Sequence, residues 1–339
     1  MKKSITRAII DATVERSLRE IDEDPRRSIR KLADMGRVYS KGRLIQSIYE
    51  IMQDLLRNEE SPYYSAIDNL FHHTSRKALK GFGINIGYSS LTRGAKELRA
   101  NEERLHHPIP WLLMVRMNDT IKDGFSCADL EEILRQGTEL GVYAYSISLT
   151  GGLTYLEEIT GLIRKYDDCA FILRLPDEEL SANDARLLSE CINAIVLLQS
   201  GSDCINSNLY LLRRTKTWCA SYDYYNEHNW SSVTGESKMR EYVGAESTFV
   251  FLIAEEGTPK EFCEKAAKLV RENRVSPTAP IFMFDLFGDC LKIDGIISDD
   301  RACWFEFLED GSIRTSESSL PAPARYDLKS LLVEAFSEK

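Results

Sequence analysis

The chain has 339 residues, 43% of them hydrophobic, and a formal net charge of −10. This length allows one large α/β domain with extensions, or two smaller domains. The acidic balance argues against non-specific binding to nucleic acid and against an anionic membrane surface as a partner. No apolar run reaches the length of a membrane span.

The eight cysteines occur singly among apolar residues, and no two form a C-x-x-C pair. That pattern is typical of reduced, buried thiols. The N-terminus starts basic, like a signal peptide, but Asp11, Glu15 and Arg16 interrupt the segment that would have to be apolar. We therefore predict a cytoplasmic protein whose partners include neither nucleic acid nor a membrane.

The first 80 residues indicate helices. Apolar residues recur there at helical spacing, at Ile5, Ile9, Leu18 and Ile21 and again at Leu44, Ile48, Ile51 and Leu55. Between these two sets, Pro25 is placed near a helix start and Gly36 near its end. The glycine-rich stretch GFGINIG (81–87) follows a helix rather than a strand, so it fails as a dinucleotide-binding loop. It predicts a turn into a helix at 89–99 instead.

From residue 110, short apolar runs alternate with helical patterns. The predicted strands are 111–117, 143–150, 170–176, 194–200, 217–224, 248–256 and 281–287. Strands that alternate with helices imply parallel βα units. Roughly seven such units favour a closed or partly open barrel, and a doubly wound sheet is the alternative.

Polar residues at the helix starts support this phasing. Ser126 with Asp129 three residues later predicts a capping box, and so does Thr154 with Glu157. Thr258 is predicted to cap a further helix, with Pro259 as its first residue.

Near the end of the chain, ACWFEFLEDGSIRTS predicts a β-hairpin that turns at Asp310 and Gly311, and YDLKSLLVEAFSE predicts a terminal helix. The predicted fold class is α/β: a partial or closed parallel (β/α) TIM-like barrel with a helical N-terminal extension and a C-terminal β-hairpin plus helix. The corresponding domains are 1–108 for the extension, 109–290 for the barrel, and 291–339 for the hairpin and helix.

Ligands of parallel βα barrels bind at the carboxyl ends of the strands. The polar residues predicted at these ends include Asn118, Asp119, Thr150, Arg174, Gln199, Asp223, Glu255 and Asp285. Such a rim could bind a small polar ligand or a cation, but barrel rims are also polar simply because water reaches them. From the residues alone we predict no catalytic constellation and no metal site.

The order of segments resembles the radical S-adenosylmethionine (radical SAM) family over residues 25 to 337. The segments that carry the resemblance are GFGINIGYSSLTRGAKELR, IPWLLMVRM, ADLEEILRQGTELGV, the pair Gly151 and Gly152, APIFMFDLFGD and RACWFEFLEDGSIRTS. The chain is similar to bacterial members with a helical N-terminal leader. The resemblance implies a barrel whose Gly151 and Gly152 would receive the methionine end of S-adenosylmethionine, and these two residues join the predicted ligand-binding rim.

The chain departs from the family where the chemistry takes place. The family's loop carries C-x3-C-x2-C, whose three thiolates hold a [4Fe–4S] cluster, whereas the loop here, NDTIKDGFS (118–126), has no cysteine and is followed by Cys127 alone. The family's G-G-E-P has Leu153 and Thr154 in its last two positions here. Near the hairpin, where relatives place cysteines, Ile296 and Ser316 occur.

These departures predict a radical-SAM-like pseudoenzyme without a [4Fe–4S] cluster, with at most weak binding of S-adenosylmethionine and no radical catalysis. It would bind a peptide, a protein or a small molecule at the barrel mouth, and its partner would be an active radical SAM relative or a peptide substrate. One alternative is an enzyme with non-radical, carboxylate- or metal-dependent chemistry at the rim. Another is an iron–sulfur protein that uses cysteines from distant positions.

Overall fold

A computed structural model of the protein describes residues 5–20, 26–27, 30–31, 33–34, 37, 53–54, 56–298 and 301–336. The predicted helix positions Ile21, Pro25, Gly36, Leu44, Ile48, Ile51 and Leu55 lie outside these residues. Within them the fold is α/β, with helices first, a curled and mostly parallel sheet next, and short strands plus a helix at the end.

The N-terminal part is helical, as predicted. Its elements are α1 (Ile5–Glu20), α2 (Tyr63–His73), α3 (Arg76–Ile84), a π-helix (Asn85–Gly94) and α4 (Ala95–Leu105).

Strands and connecting helices then alternate up to residue 297, except that two consecutive helices separate the fifth strand from the sixth. The elements are β1 (Leu112–Met117), α5 (Cys127–Leu140), β2 (Ala144–Leu149), α6 (Leu156–Lys165), β3 (Ala170–Arg174), α7 (Ala182–Ser189), β4 (Ala194–Gln199), α8 (Ile205–Arg214), β5 (Cys219–Tyr225), α9 (Trp230–Thr234), α10 (Glu236–Gly244), β6 (Phe249–Ala254), α11 (Lys260–Val275), β7 (Phe282–Asp285), α12 (Leu286–Ile297), β8 (Phe305–Phe307), β9 (Ile313–Thr315), β10 (Ser319–Leu320) and α13 (Leu328–Phe336).

The predicted turn at 81–87 is wrong, because α3, the π-helix and α4 follow one another without a break. Close packing requires a glycine at Gly81 and, further along, at Gly94, whereas a Cβ on Gly83 or Gly87 would meet no atom within 4 Å. A Cβ on Gly81 would lie 2.5 Å from the backbone oxygen of Ile192, and one on Gly94 would lie 2.7 Å from that of Gly141. The helical segment therefore lies directly against loops of the barrel.

The sheet is a half-barrel with strand order β10-β9-β8-β1-β2-β3-β4-β5-β6-β7 in the described part of the chain. Strands β1 to β7 pair in parallel, each with the next, and β8 pairs in parallel with β1. Of the two predicted barrel forms, the partial one is confirmed. The doubly wound alternative is not, because the strand order does not reverse.

The sequential order of the strands places the connecting helices on one face of the sheet, since parallel crossovers are right-handed. On this outer face, a Cβ on Gly137 of α5 would meet the hydroxyl of Tyr145 and the side chain of Leu113. The alternate residues point to the inner face, where Phe251 and Phe284 stack with their ring centroids 5.0 Å apart. Tyr63 of α2 stacks on Phe282 at 4.0 Å, so α2 packs against the inner face at the amino-terminal end of β7.

Side chains of the neighbouring helices cover the free edge of β7. Asn273 accepts a hydrogen bond from the backbone nitrogen of Met283 at 3.2 Å, and Arg274 donates to the carbonyl oxygen of Met283 at 2.9 and 3.1 Å. Arg274 is held in turn by Asp289, at 3.0 Å between Nη1 and Oδ1. Since these groups use the hydrogen-bonding capacity that another strand would need, the edge is protected from further pairing.

A buried carboxylate fixes the position of β8 beside β1. Asp294 of α12 accepts hydrogen bonds from the backbone nitrogens of Trp111 at 2.9 Å and Cys303 at 2.7 Å. Trp111 precedes β1 and Cys303 precedes β8. The indole of Trp111 also donates to the carbonyl oxygen of Cys290 at 3.0 Å, so three segments meet at this point.

The helix caps were predicted correctly in one of three places. Ser126 and Asp129 form the capping box of α5. Thr154 does not cap α6, because a turn from Leu153 precedes the helix, which begins at Leu156. The hydroxyl of Thr258 donates to backbone carbonyls instead of capping α11, and Pro259 precedes the helix rather than starting it.

The predicted C-terminal hairpin is confirmed. Strands β8 and β9 pair antiparallel around a turn in which Gly311 has a φ of +84°, and α13 follows. All eight cysteines are free. Five are buried, as the sequence pattern indicated, whereas Cys204, Cys219 and Cys263 are half-buried. No helix in the described residues is long and apolar enough to cross a membrane. The domain boundaries at residues 108 and 290 stay a prediction.

Replacing Asp294 by asparagine tests the link between β1, α12 and β8. Burial raises the pKa of Asp294 to about 7, so its stabilising contribution is complete below about pH 4 and is lost as the pH rises through about 7. The asparagine side chain has only one acceptor oxygen for two backbone donors. We expect Asp294→Asn to lower the free energy of unfolding by about 1–3 kcal/mol at low pH, and this deficit to shrink as the pH rises from about 4 to about 7.

Urea unfolding across this pH range measures the deficit, and Glu334→Gln on the exposed side of α13 is the control. A deficit that grows with rising pH would contradict the assignment.

Replacing Arg274 by methionine tests the protected edge of β7. The side chain keeps its length but loses the donors to Met283 and the ion pair with Asp289. Because hydrogen bonds to charged groups are the stronger kind, we expect a loss of about 2–3 kcal/mol in unfolding free energy. Urea unfolding measures the loss, and size-exclusion chromatography reports any self-association through the freed edge. Arg271→Met on an exposed turn of the same helix is the matched control, and equal effects of the two variants would refute the role of Arg274.

Candidate functional site

The carboxyl ends of β1 to β7 form one rim, and the structure places the ten predicted site residues in four settings. Asn118, Asp119, Gly151 and Gly152 lie together. Arg174 and Gln199 lie on the inner face of the sheet. Asp223 and Asp285 lie among the outer helices, and Thr150 and Glu255 lie on exposed loops.

Side chains that follow β1 cover the glycine pair that follows β2. A Cβ on Gly151 would lie 2.1 Å from Oδ1 of Asn118 and 2.6 Å from Oδ1 of Asp119. The backbone nitrogen of Thr154 donates to Oδ2 of Asp119 at 3.2 Å, while Oδ1 of Asp119 is buried without a partner in the described residues. The backbone edge of Gly151 and Gly152 is thus occupied by the protein's own polar groups.

The loop 118–126 is tied to the turn of the C-terminal hairpin. Glu309 forms an ion pair with Arg116 at 2.9 Å and accepts a hydrogen bond from the hydroxyl of Thr150 at 3.1 Å. Its carbonyl oxygen accepts from the backbone nitrogen of Phe125 at 3.1 Å, and a Cβ on Gly124 would lie 2.4 Å from that oxygen. The loop therefore packs onto the hairpin turn, and Gly124 is needed for the close approach.

The thiol nearest to this loop does not suit cluster binding. Cys127 is 9% exposed in the first turn of α5, and burial, reinforced by nearby Glu158, raises its pKa to about 12. A [4Fe–4S] cluster is held by several cysteine thiolates, and the loop 118–126 supplies none. In the described residues no group of three or more His, Cys, Asp or Glu side chains could hold a metal ion. The residues of the rim therefore do not fit the cluster that the family resemblance implies.

Arg174 is the most deeply buried cation of the rim, with 7% of its surface exposed. Its Nε donates to the hydroxyl of Ser148 at 2.7 Å. The guanidinium carbon lies 5.7 Å from the ring centroid of Tyr222 and 5.3 Å from that of Tyr224. Gln199 lies beside them and accepts from the hydroxyl of Tyr222 at 3.5 Å. The end of β3 thus presents a cation held between a hydroxyl and two aromatic rings.

The two acidic residues under the outer helices are already committed to neighbours. Asp223 accepts a hydrogen bond from Tyr242 and lies 3.3 Å from the ammonium of Lys238. Burial nevertheless raises the pKa of Asp223. Asp285 caps α12 by accepting from the backbone nitrogen of Gly288 at 3.2 Å, and burial raises its pKa to about 6.

Several residues of the rim escaped the sequence analysis. Arg116 and Glu309 are far apart in sequence, and nothing in the local patterns links the end of β1 to the hairpin turn. Tyr222 and Tyr224 could have been found, because their alternate spacing in a strand places them on one face, opposite to Asp223.

No family model matches the chain, and no curated protein does. Among solved structures, the chain is similar to SuiB of Streptococcus suis, with a TM-score of 0.47 and 13% identity over 71% of this chain and 70% of that chain. SuiB bound to the precursor peptide SuiA gives a TM-score of 0.43 and 11% identity, covering 73% and 66% of the two chains.

A third structure, anSMEcpe with bound AdoMet, gives a TM-score of 0.39 and 14% identity, covering 60% of this chain and 73% of that chain. SuiB and anSME are radical SAM enzymes, the family that the order of segments in this sequence resembles.

Proposed function

We propose that this chain is a radical-SAM-like protein that holds no [4Fe–4S] cluster and acts by binding a ligand or partner at the rim of its half-barrel. It is a pseudoenzyme, in which the framework for folding is kept and the groups for radical chemistry are absent.

The observation that carries the proposal is the packing of Asn118 and Asp119 over Gly151 and Gly152. With Asn118 Oδ1 only 2.1 Å from a Cβ position on Gly151, the glycines serve the contact between two loops. A ligand that used this edge would first have to displace both side chains and the hydrogen bond from Thr154 to Asp119. Tight binding of S-adenosylmethionine is therefore not expected.

The number of available thiols supports the same proposal. A [4Fe–4S] cluster is held by several cysteine thiolates, and the loop 118–126 supplies none and is followed by Cys127 alone. Reductive cleavage of S-adenosylmethionine depends on the electron that a cluster delivers, which no protein side chain replaces.

Binding is proposed rather than acid–base catalysis because the two most deeply buried carboxylates of the rim, Asp223 and Asp285, are engaged. Asp223 is paired with Lys238 and Tyr242, and Asp285 caps α12. The groups left for a ligand are Arg174, Gln199 and the rings of Tyr222 and Tyr224. They suit a peptide, a protein segment or a small polar molecule as ligand. The protein partner that we propose is an active radical SAM relative.

Anaerobic reconstitution with ferrous iron, sulfide and a thiol reductant tests the missing cluster. We expect iron far below one cluster per chain, the same content in wild type and Cys127→Ser, and no deoxyadenosine from S-adenosylmethionine and dithionite. Calorimetry should show no tight binding of S-adenosylmethionine. An active radical SAM enzyme carried through the same procedure is the control. A stoichiometric cluster in the wild type that cleaves S-adenosylmethionine would overturn the proposal.

Replacing Gly151 by alanine tests the occupied glycine edge. The new Cβ collides with Asn118, and overpacking of this kind costs about 1–3 kcal/mol of unfolding free energy. Because Asn118→Ala removes the colliding amide, the loss should be smaller in the double variant, which a double-mutant cycle by urea unfolding measures. Gly161→Ala in α6 is the control, since a Cβ there would meet no atom within 4 Å. An unchanged stability of Gly151→Ala would show that the edge is open.

A further inference from the structure

The charge of Arg174 is not balanced by the described residues. Its hydrogen bond to Ser148 and its contacts with Tyr222 and Tyr224 involve neutral partners, and no described Asp or Glu forms an ion pair with it. The other arginines of the inner face differ. Arg116 pairs with Glu309 at 2.9 Å, and Arg314 pairs with Glu306 at 2.6 Å.

Most of the Arg174 side chain is buried, although its terminal nitrogens reach solvent, since they are not among the buried atoms that lack a partner. Moving a charge away from water is costly, and an opposite charge usually offsets the penalty. Interactions with two tyrosine rings recover part of it. The rings do not neutralise the charge, and a missing counter-charge at the ligand-binding end of a barrel indicates an anion.

The geometry of the guanidinium indicates which anion. Ser148 occupies Nε, and no described residue accepts a hydrogen bond from the two terminal nitrogens of Arg174. These nitrogens form a planar fork that matches the two oxygens of a carboxylate. Arg174 is the only guanidinium without an ion pair that the described part of the chain places at this point. Asp119, Asp177 and Glu255 follow the ends of their strands. A single negative charge fits better than a phosphate dianion.

We propose that Arg174, oriented by Ser148 and flanked by Tyr222 and Tyr224, binds a carboxylate of the ligand through its two terminal nitrogens. This inference rests on the proposed binding function and specifies the chemical class of its ligand. The tyrosine rings contact the apolar part that carries the carboxylate, and Gln199 lies within reach of a neighbouring polar group.

Calorimetric titration with three matched probes tests the subsite. The probes are N-acetylphenylalanine, its neutral amide and phenyl phosphate, which share a ring and differ in the head group. We expect the carboxylate to bind, the amide to bind at least about 10-fold more weakly, and the phosphate to be intermediate, since a charged hydrogen-bonded pair contributes about 1.5–3 kcal/mol.

Variants of the arginine separate recognition from folding. Arg174→Met should lower the affinity for N-acetylphenylalanine at least about 10-fold. Arg174→Lys keeps the positive charge but not the planar fork of nitrogens. Its affinity for N-acetylphenylalanine should lie between those of Arg174→Met and the wild type. Without ligand, Arg174→Met should have a urea midpoint no lower than that of the wild type, because an unbalanced buried charge is removed. Arg271→Met on the outer surface should leave affinity unchanged.

The outcomes that would contradict the subsite are distinct. Equal binding of the carboxylate and the amide would refute the carboxylate subsite while leaving a binding function. A lowered urea midpoint of Arg174→Met with unchanged affinity for N-acetylphenylalanine would also refute the subsite. Preference for phenyl phosphate would replace the carboxylate by a phosphate. No binding of any probe would refute the subsite, whereas the proposed function depends on the separate iron and S-adenosylmethionine measurements.

Discussion

The arrangement of this protein depends on one buried carboxylate. Asp294 accepts backbone hydrogen bonds from Trp111, just before β1, and from Cys303, just before β8. It thereby sets the two strands side by side, although about 190 residues of chain separate them. At the other end of the sheet, Asn273 and Arg274 occupy the edge of β7. The sheet therefore stays open on that side and is extended beyond β1 by the hairpin.

This placement of the hairpin determines the state of the rim. With β8 beside β1, the turn after β8 brings Glu309 over the end of β1, where it binds Arg116, Thr150 and the backbone of Phe125. The loop 118–126 is held by these contacts, and its first two side chains lie on the glycine edge. The region in which the resemblance would place cluster and cofactor is thus filled by ordinary polar packing that begins with the C-terminal hairpin.

The sequence predicts the parts of the fold that depend on local chemistry. The alternation of strands and helices, the capping box of Ser126 and the turn at Gly311 follow from spacing and from preferred backbone angles. Sequence-based prediction fails for features that depend on contacts with residues distant in the chain. Residues 81–87 are helical rather than a turn, and Gly81 packs there against the backbone of Ile192, which is distant in sequence. Asp223 lies at a strand end, as predicted. Its side chain points to the outer face of the sheet, because successive residues of a strand point to opposite faces. Pairing of Arg116 with Glu309 is set by Asp294, which no local pattern connects to either residue.

The unbalanced Arg174 also explains how an acidic protein could bind an acidic ligand selectively. A net charge of −10 repels small anions, but salt screens this field over about 8 Å, so it cannot replace a counter-ion at a buried guanidinium. The attraction of a free anion to Arg174 is therefore partly cancelled by repulsion from the negative charge of the protein. A larger ligand can add contact with Tyr222 and Tyr224 and with the polar rim, and this added area offsets the repulsion. On this argument the rim discriminates against isolated anions and favours a carboxylate that belongs to a larger, partly apolar molecule, such as a peptide.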